Sequence, residues 1–345
     1  MSDTMKAIVK TRPAPGLELI SNPLPQIGPQ DVLVKVLAAS LCGTDMHIYE
    51  WNDWAQQRIR PPLVVGHEIH GEVVDRGALV TKPAVGARVS LESHVVCNVC
   101  QYCRTGRSHI CEHTQIIGVD RDGGFAEYIA IPAQNTWVVP DDMPIEIAVL
   151  LENFGNAVHT AMWANISAKK VLITGCGPVG TMAVAVARAT GAQAIYATDI
   201  SNYRLEAARR MGADLTVNGH DDVVSIIREA THGEGVDVVL EMSGAPSALD
   251  QAFSLLKPGG QAVLLGLAPG PYTFDMNNHV IFKGASVHGV VGRRLWETWF
   301  QADSLLRTHA VDLTSVVTHR VKMDNFDEAY QIMLSGQSEK VVLRP

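Results

Sequence analysis

The sequence predicts an α/β protein in which a β-rich domain precedes a domain built on a doubly wound parallel sheet. The chain has 345 residues, more than one hydrophobic core usually serves, so two domains are expected. Its early part consists of short apolar segments separated by Gly and Pro. Its later part alternates apolar segments with segments of helical periodicity, which is typical of strands joined by helices.

The early segments predict the strands of a barrel or sandwich. They carry apolar and β-branched side chains between turn residues, and they lie at 32–40, 71–77, 87–93 and 127–132. We expect the β-rich domain to span residues 1–154, with a lobe at 95–113 inserted in it.

The later segments predict the parallel sheet. The apolar runs in KKVLITG, VDVVLEMSG and GGQAVLLGL predict buried strands, and the amphipathic stretches 203–211 and 221–230 predict helices between them. We expect this domain to span residues 155–296. The remaining segment, 297–345, ends in a predicted helix and strand and is expected to return to the first domain.

The composition argues against several classes of function. The formal net charge of −8 and the pI near 5.9 do not suit a nucleic-acid-binding surface, which needs clustered Lys and Arg. No apolar stretch is long enough to span a bilayer, and the first residues lack the apolar core of a signal peptide. We therefore expect a cytoplasmic protein without a nucleic-acid or membrane partner.

A Gly-rich turn lies between a predicted strand and a predicted helix. VLITGCGPVG places Gly175, Gly177 and Gly180 in the pattern G-x-G-x-x-G, which in this context predicts a dinucleotide site. Asp199 follows at the end of the next predicted strand, where a carboxylate would accept from ribose hydroxyls and repel a 2′-phosphate. NAD is therefore favoured over NADP, although Arg204 is close enough in sequence to accommodate a phosphate. The alternative is a Gly-rich turn that binds nothing.

Four of the six cysteines form a second motif, C-x2-C-x2-C-x7-C, at Cys97, Cys100, Cys103 and Cys111. Four thiolates can close a tetrahedral shell, so the motif predicts a structural zinc site. An iron–sulfur cluster and a nucleic-acid-binding zinc finger are the alternatives. The acidic chain and the dinucleotide motif argue against the zinc finger, and disulfides are unusual in a reducing compartment.

Candidate ligands for a second metal lie in three separate segments. They are Cys42 in LCGTDMHIY, His67 and Glu68 in VVGHEIHGEVV, and Glu152 in VLLENFGNAVHT. A catalytic zinc needs about three protein ligands and one exchangeable position. Taken singly, however, a Cys or His is more often a buried structural residue than a ligand.

The chain resembles the zinc-containing medium-chain alcohol dehydrogenases, which pair a GroES-like catalytic domain with a Rossmann domain. The resemblance rests on LCGTDMHIY, GHEIHGEVV, the cysteine motif, GVDRDGGFAEY and the Gly-rich turn, and it extends over nearly the whole chain. It implies NAD and two zinc ions per chain, one catalytic and one structural. It also implies assembly into a homotetramer.

The resemblance implies roles for residues around the catalytic zinc. Three residues would be its ligands, namely Cys42, His67 and Glu68. Glu152 stands where the family has an acidic residue that is either a ligand or a neighbouring relay group. Thr44 and His47 match the pair through which the substrate proton leaves by way of the nicotinamide ribose.

The resemblance also implies the cofactor contacts. They are Gly175, Gly177, Val179, Gly180, Asp199, Arg204, Gly266, Leu267, Ala268, Val290 and Val291. The carbinol hydride would pass to the nicotinamide, which carries the redox chemistry.

The implied reaction is oxidation of the secondary alcohol of L-threonine to 2-amino-3-oxobutanoate. His94 matches a histidine near the substrate site, Glu152 could receive the substrate ammonium, and Arg293 or Arg294 could hold its carboxylate. Both arginines could equally form surface or subunit salt bridges. Asn153 replaces the Pro that usually follows the acidic residue, so a polyol or vicinal diol is an alternative substrate. A non-catalytic binding or structural protein on the same fold is the alternative from another class.

Overall fold

The computed structural model describes residues 3–345. Its strands, in chain order, are β1 Thr4–Lys10, β2 Glu18–Pro23, β3 Asp31–Ser40, β4 Leu63–Val64, β5 Glu68–Arg76, β6 Arg88–Leu91, β7 His94–Val95, β8 Gln115–Ile116, β9 Tyr128–Pro132, β10 Thr136–Val138, β11 Lys170–Thr174, β12 Ala194–Asp199, β13 Leu215–Asn218, β14 Val236–Glu241, β15 Leu256–Leu264, β16 Ser286–Gly289, β17 Val317–Lys322 and β18 Lys340–Arg344.

The helices lie mainly in the second half of the chain. They are α1 Gly43–Glu50, α2 Asp53–Arg58, α3 Gln101–Arg104, α4 Ile145–Ala148, α5 Leu151–Trp163, α6 Pro178–Ala189, α7 Asn202–Arg210, α8 Val223–Ala230, α9 Pro246–Leu255, α10 Glu297–Arg307 and α11 Phe326–Leu334. Among the described residues, no helix combines the length and the apolar character that crossing a membrane requires.

The chain divides into two compact units. The first runs up to Glu152 and includes Val317–Pro345, and the second is Asn153–Val316. The sequence predicts that all of 297–345 returns to the first domain, but 297–316 belongs to the second unit. Within the second unit, the Ser315 hydroxyl lies 3.4 Å from the sulfur of Met211, the residue that follows α7.

The first unit is built on mainly antiparallel sheets, with β17 and β18 paired in parallel. The largest has the strand order β10-β6-β5-β3-β18-β17, and β9 also pairs with β3. β3 is its longest strand, and alternate apolar side chains such as Val32, Val34 and Val36 enter one core. In β18, Val341 and Leu343 enter that core too, so the C-terminal strand completes the sheet of the first unit.

The second unit is built on a six-stranded parallel sheet of order β13-β12-β11-β14-β15-β16. Val171, Leu172 and Ile173 in β11 are all buried, as expected where helices cover both faces. The chain order reverses between β11 and β14, and ligands of such sheets bind beyond the carboxyl ends of the strands at this reversal. The observed α/β architecture confirms the predicted fold class.

Candidate functional site

Backbone pairing brings the first group of candidate ligands together. Ser40 at the end of β3 pairs with Glu68 at the start of β5. Cys42 therefore follows one strand just where His67 precedes the other. Ligand atoms of Cys42, His67 and Glu68 all lie within 4.8 Å of one another, a spacing that one metal ion can bridge.

Helix α1 fixes Cys42 through its N-terminal cap. The Cys42 N–H donates to Asp45 Oδ2 at 2.9 Å. Asp45 is fully buried, and its other oxygen lies 3.5 Å from His67 Nδ1. Burial opposes a charge on His67, but the Asp45 carboxylate and Cys42 together outweigh burial and hold the pKa of His67 well above its ordinary value. Asp45 thus orients the imidazole from behind, as carboxylates do for metal-ligating histidines.

Glu68 has a buried cationic partner. Lys340 Nζ lies 2.5 Å from both carboxylate oxygens and donates to the Leu41 carbonyl at 3.1 Å, and Ser40 Oγ donates to Glu68 Oε2. Both charged side chains are essentially inaccessible to solvent. Burial raises the pKa of Glu68 against the opposing effect of Lys340, and the nearby Glu152 carboxylate raises it further.

Glu152 lies in the first turn of α5 and is buried. Ser93 Oγ donates to Glu152 Oε1 at 2.6 Å. The adjacent His94 donates to Glu92 Oε1 from its backbone N–H at 2.8 Å, and its Nδ1 lies 3.0 Å from the same oxygen. Glu92 is buried, so its oxygen is the acceptor for a proton on His94 Nδ1.

The predicted relay residues share one helix. Thr44 and His47 both lie in α1, two residues and five residues after Cys42. They are three positions apart, so their side chains project from neighbouring positions of the helix surface. His47 is exposed, and its Nδ1 lies 2.8 Å from Asn52 Nδ2.

The four cysteines of the lobe also converge. Their sulfurs lie within 4.8 Å of one another, with Cys111 Sγ 3.5 Å from Cys97 Sγ and 3.9 Å from Cys100 Sγ. A disulfide needs about 2 Å. A single zinc with Zn–S bonds of about 2.3 Å holds its sulfurs about 3.8 Å apart. The observed spacing therefore fits one tetrahedral metal ion, whereas a multi-iron cluster would spread its ligands more widely.

Backbone N–H groups point at these sulfurs, as they do in thiolate metal sites. The Cys100 N–H donates to Cys97 Sγ, and the Cys97 and His113 N–H groups donate to Cys111 Sγ, at 3.3–3.4 Å. A hydrogen bond from the Cys103 backbone is the main cause that lowers the pKa of Cys100 to about 6. Burial and the Cys100 thiol raise that of Cys103 to about 12.

The Gly-rich turn has the shape of a dinucleotide site. A Cβ on Gly180 would lie 1.9 Å from the Gly175 carbonyl oxygen, so only glycine permits this close contact between helix and turn. A Cβ on Gly177 would meet nothing within 4 Å, which leaves open space at the N-terminus of α6. Phosphate binds in such positions because the first N–H groups of a helix have no partner within the helix.

Asp199 is held rigidly beside the turn. Its Oδ2 accepts from the Cys176 N–H and its Oδ1 from the Ser201 N–H, both at 2.8 Å. The other predicted cofactor residues lie just beyond two strands at the same edge of the sheet. After β15 these are Gly266, Leu267 and Ala268, and after β16 they are Val290 and Val291. Val290 is buried, while Leu267 and Val291 are exposed. Val179 and Arg204 lie in the first turns of α6 and α7.

The two arginines have different surroundings. Arg293 is buried, donates to Asn156 Oδ1 at 3.2 Å and packs on Gly155, where a Cβ would meet its side chain at 2.4 Å. Arg294 pairs with Glu297 at 2.9 Å and lies over the Trp163 ring. These contacts give each guanidinium a structural partner. Binding of the substrate carboxylate by Arg293 or Arg294 stays a prediction.

Asn153 lies in the first turn of α5, where Pro would also be tolerated. The side chain is buried, and its Oδ1 has no hydrogen-bond partner among residues 3–345. The difference from the usual Pro is therefore chemical rather than conformational.

Sequence reasoning missed four residues that support the site: Asp45, Glu92, Ser93 and Lys340. Asp45 could have been found, because it stands three residues after Cys42 at capping-box spacing. Glu92 and Ser93 offered a weaker signal, as adjacent polar residues after an apolar strand. No local pattern identifies Lys340, which is 272 residues from Glu68.

Comparisons with known proteins agree with this geometry. Residues 28–141 match the alcohol dehydrogenase GroES-like domain, and residues 178–308 match the zinc-binding dehydrogenase family. The L-threonine 3-dehydrogenase of Pyrococcus horikoshii is 49% identical over 344 residues, with 99% of each chain covered.

Two solved structures share the fold over the full length of both chains. A putative zinc-binding dehydrogenase from Sinorhizobium meliloti 1021 bound to NADP has a TM-score of 0.92 at 29% identity. An alcohol dehydrogenase from Escherichia coli CFT073 complexed with NADH has a TM-score of 0.92 at 26% identity. The resemblance inferred from sequence is thereby confirmed, and the chain belongs to the family of zinc-binding, medium-chain alcohol dehydrogenases.

Proposed function

We propose that this protein oxidises the secondary alcohol of L-threonine to 2-amino-3-oxobutanoate, with NAD as hydride acceptor and zinc at Cys42, His67 and Glu68. The convergence of these three ligand atoms within 4.8 Å carries the proposal. The 49% identity to an L-threonine 3-dehydrogenase over nearly the whole chain supports threonine as the substrate.

The donor set suits a catalytic zinc. A thiolate, an imidazole and a carboxylate supply three ligands, and a fourth position is left for substrate. When bound, zinc supplies a Lewis acid that lowers the pKa of the substrate hydroxyl. Asp45 lies 3.5 Å from His67 Nδ1 and would orient the imidazole, and Lys340 with Ser40 holds Glu68 by hydrogen bonds.

The chain's polar groups would position the amino acid and carry its proton. Glu152, with Ser93 donating to it, would receive the substrate ammonium, and His94, held by Glu92, would contact the substrate. Thr44 and His47 would pass the hydroxyl proton towards solvent, a step that suits an imidazole near neutral pH. Arg293 or Arg294 would hold the substrate carboxylate.

NAD is the proposed cofactor because the Asp199 carboxylate, fixed by two backbone N–H groups, would accept from the ribose hydroxyls. Replacing Asp199 with Ser should raise the KM for NAD by roughly tenfold, the worth of about one charge-assisted hydrogen bond. The KM for NADP should fall relative to the KM for NAD, because the carboxylate that repels a 2′-phosphate is removed. Initial rates with each cofactor measure both values.

The matched control is Asp222→Ser, since Asp222 caps α8 through the Ser225 N–H and serine caps helices equally well. Unchanged cofactor preference in Asp199→Ser would contradict the assignment of Asp199.

The cysteine lobe is proposed to hold a second zinc with a structural role. Cys100→Ser should therefore remove about one zinc per chain and lower the melting temperature, because a closed four-sulfur site contributes folding free energy. Metal analysis and thermal unfolding measure the two effects. Loss of activity with normal zinc content, stability and assembly would show that the lobe is not structural.

The proposed activity is tested by NADH formation from NAD by the zinc-loaded protein. L-Threonine is compared with D-threonine, 2,3-butanediol and sorbitol. A clear preference for L-threonine supports the proposal, and turnover of a diol or polyol with threonine inert would overturn it. The predicted homotetramer is checked on the same sample by its mass in solution.

A further inference from the structure

We propose that Asn52 is a positioning residue that fixes the tautomer of His47, so that the neutral imidazole carries its proton on Nε2. This inference rests on the proposed function, in which His47 passes the substrate proton. Asn52 lies between α1 and α2, and it contacts His47 through both its backbone and its side chain.

The orientation of the Asn52 amide follows from its role as a helix cap. Asn52 is the N-cap of α2, and its Oδ1 accepts from the Ala55 N–H at 3.1 Å. The Asn52 N–H also donates to the His47 carbonyl at 3.3 Å, which holds the turn together. Reversing the amide would place its NH₂ group against the Ala55 N–H, donor against donor. Oxygen therefore faces α2, and nitrogen faces His47.

The polarity of the side-chain contact follows in turn. Asn52 Nδ2 lies 2.8 Å from His47 Nδ1, and an amide nitrogen can only donate. His47 Nδ1 must therefore be an acceptor with a free lone pair. A neutral imidazole has one N–H, so in this arrangement the N–H is on Nε2.

This polarity constrains how His47 can take part in proton transfer. Nε2 already carries a proton, so a further proton can bind only at Nδ1, and its arrival breaks the contact with Asn52. When the Nε2 proton then leaves to solvent, the imidazole is left as the Nδ1–H tautomer, which faces the Asn52 NH₂ group unfavourably. Asn52 thus drives His47 back to its starting tautomer after each proton has passed.

Two substitutions separate this role from capping. Asn52→Asp keeps an acceptor for the Ala55 N–H but presents a second acceptor to His47, so it should reverse the tautomer to Nδ1–H. Asn52→Ser keeps the cap but is too short to reach His47. Both variants should retain α2, because Asp and Ser are favoured N-caps.

The decisive measurement is ¹⁵N NMR of the histidine rings in zinc-loaded protein, at a pH where imidazoles are neutral. The His47 signals are assigned by their loss in His47→Gln. We expect an unprotonated Nδ1 in the wild type, a protonated Nδ1 in Asn52→Asp and a mixture in Asn52→Ser. We also expect kcat for L-threonine to fall by roughly tenfold or more in Asn52→Asp, with KM little changed.

A protonated Nδ1 in the wild-type protein would overturn the proposal, as would an unchanged tautomer in Asn52→Asp. The wild-type spectrum decides the first point even if a variant fails to fold. Failure of the proposed function can be distinguished from failure of this inference. In that case the wild-type protein would not oxidise threonine, although the expected tautomers would still be observed.

Discussion

Cys42→Ala protein should oxidise L-threonine at least about a thousandfold more slowly than the wild type. Cys42 is one of three residues whose ligand atoms lie within 4.8 Å of one another. Loss of one ligand of three should release the zinc. The developing alkoxide then loses several kcal/mol of stabilisation. Each 1.36 kcal/mol corresponds to a tenfold change in rate.

Metal analysis and kcat/KM should be measured on the same Cys42→Ala sample. Zinc should fall from about two to about one per chain, because the cysteine lobe is unaffected. Glu50→Ala, at the exposed end of the same helix, is the control for disturbance of α1 and should keep both zinc ions and wild-type rates. A Cys42→Ala protein with two zinc ions and normal turnover would remove Cys42 from the site.

Lys340→Met should lower the free energy of unfolding of the zinc-free protein by about 3–5 kcal/mol, the usual cost of removing one partner of a buried ion pair. Lys340 Nζ lies 2.5 Å from both Glu68 oxygens, and both side chains are inaccessible to solvent. The Leu41 carbonyl would also lose its donor. In zinc-loaded protein the loss should be smaller, because the bound cation compensates the Glu68 charge.

Denaturant unfolding with and without zinc measures both values. Glu68→Gln combined with Lys340→Met should lose less stability than the sum of the single variants, since no uncompensated charge remains. Lys6→Met is the matched control, because Lys6 pairs with Asp324 on the exposed surface and should matter little. An equal, small effect of Lys6→Met and Lys340→Met would refute a structural role for the buried pair.

Local patterns were enough to predict the fold class. The Gly-rich turn between strand and helix and the alternation of strands with helices both depend on neighbouring residues, and the six-stranded parallel sheet confirms them. The place of 297–316 could not be predicted in this way. It depends on contacts such as that of Ser315 with Met211, which are distant in sequence.

The candidate site shows the same division. Cys42, His67 and Glu68 could be picked out because thiolate, imidazole and carboxylate donors suit zinc, and family resemblance linked their separate segments. The residues that orient them were harder to foresee. Lys340 contacts Glu68 only because β18 joins the sheet beside β3. The proposed role of Asn52 follows only from the orientation of its side-chain amide, which the sequence does not give.

The central claim is that the hydride leaves C3 of L-threonine and is accepted by NAD on this protein. The most direct test is mass spectrometry of the NADH formed from L-threonine deuterated at C3 by the zinc-loaded protein. We expect one deuterium in each NADH molecule, and deuterium-free NADH from unlabelled threonine. NADH formed without deuterium, or no NADH from threonine while a diol is oxidised, would contradict it.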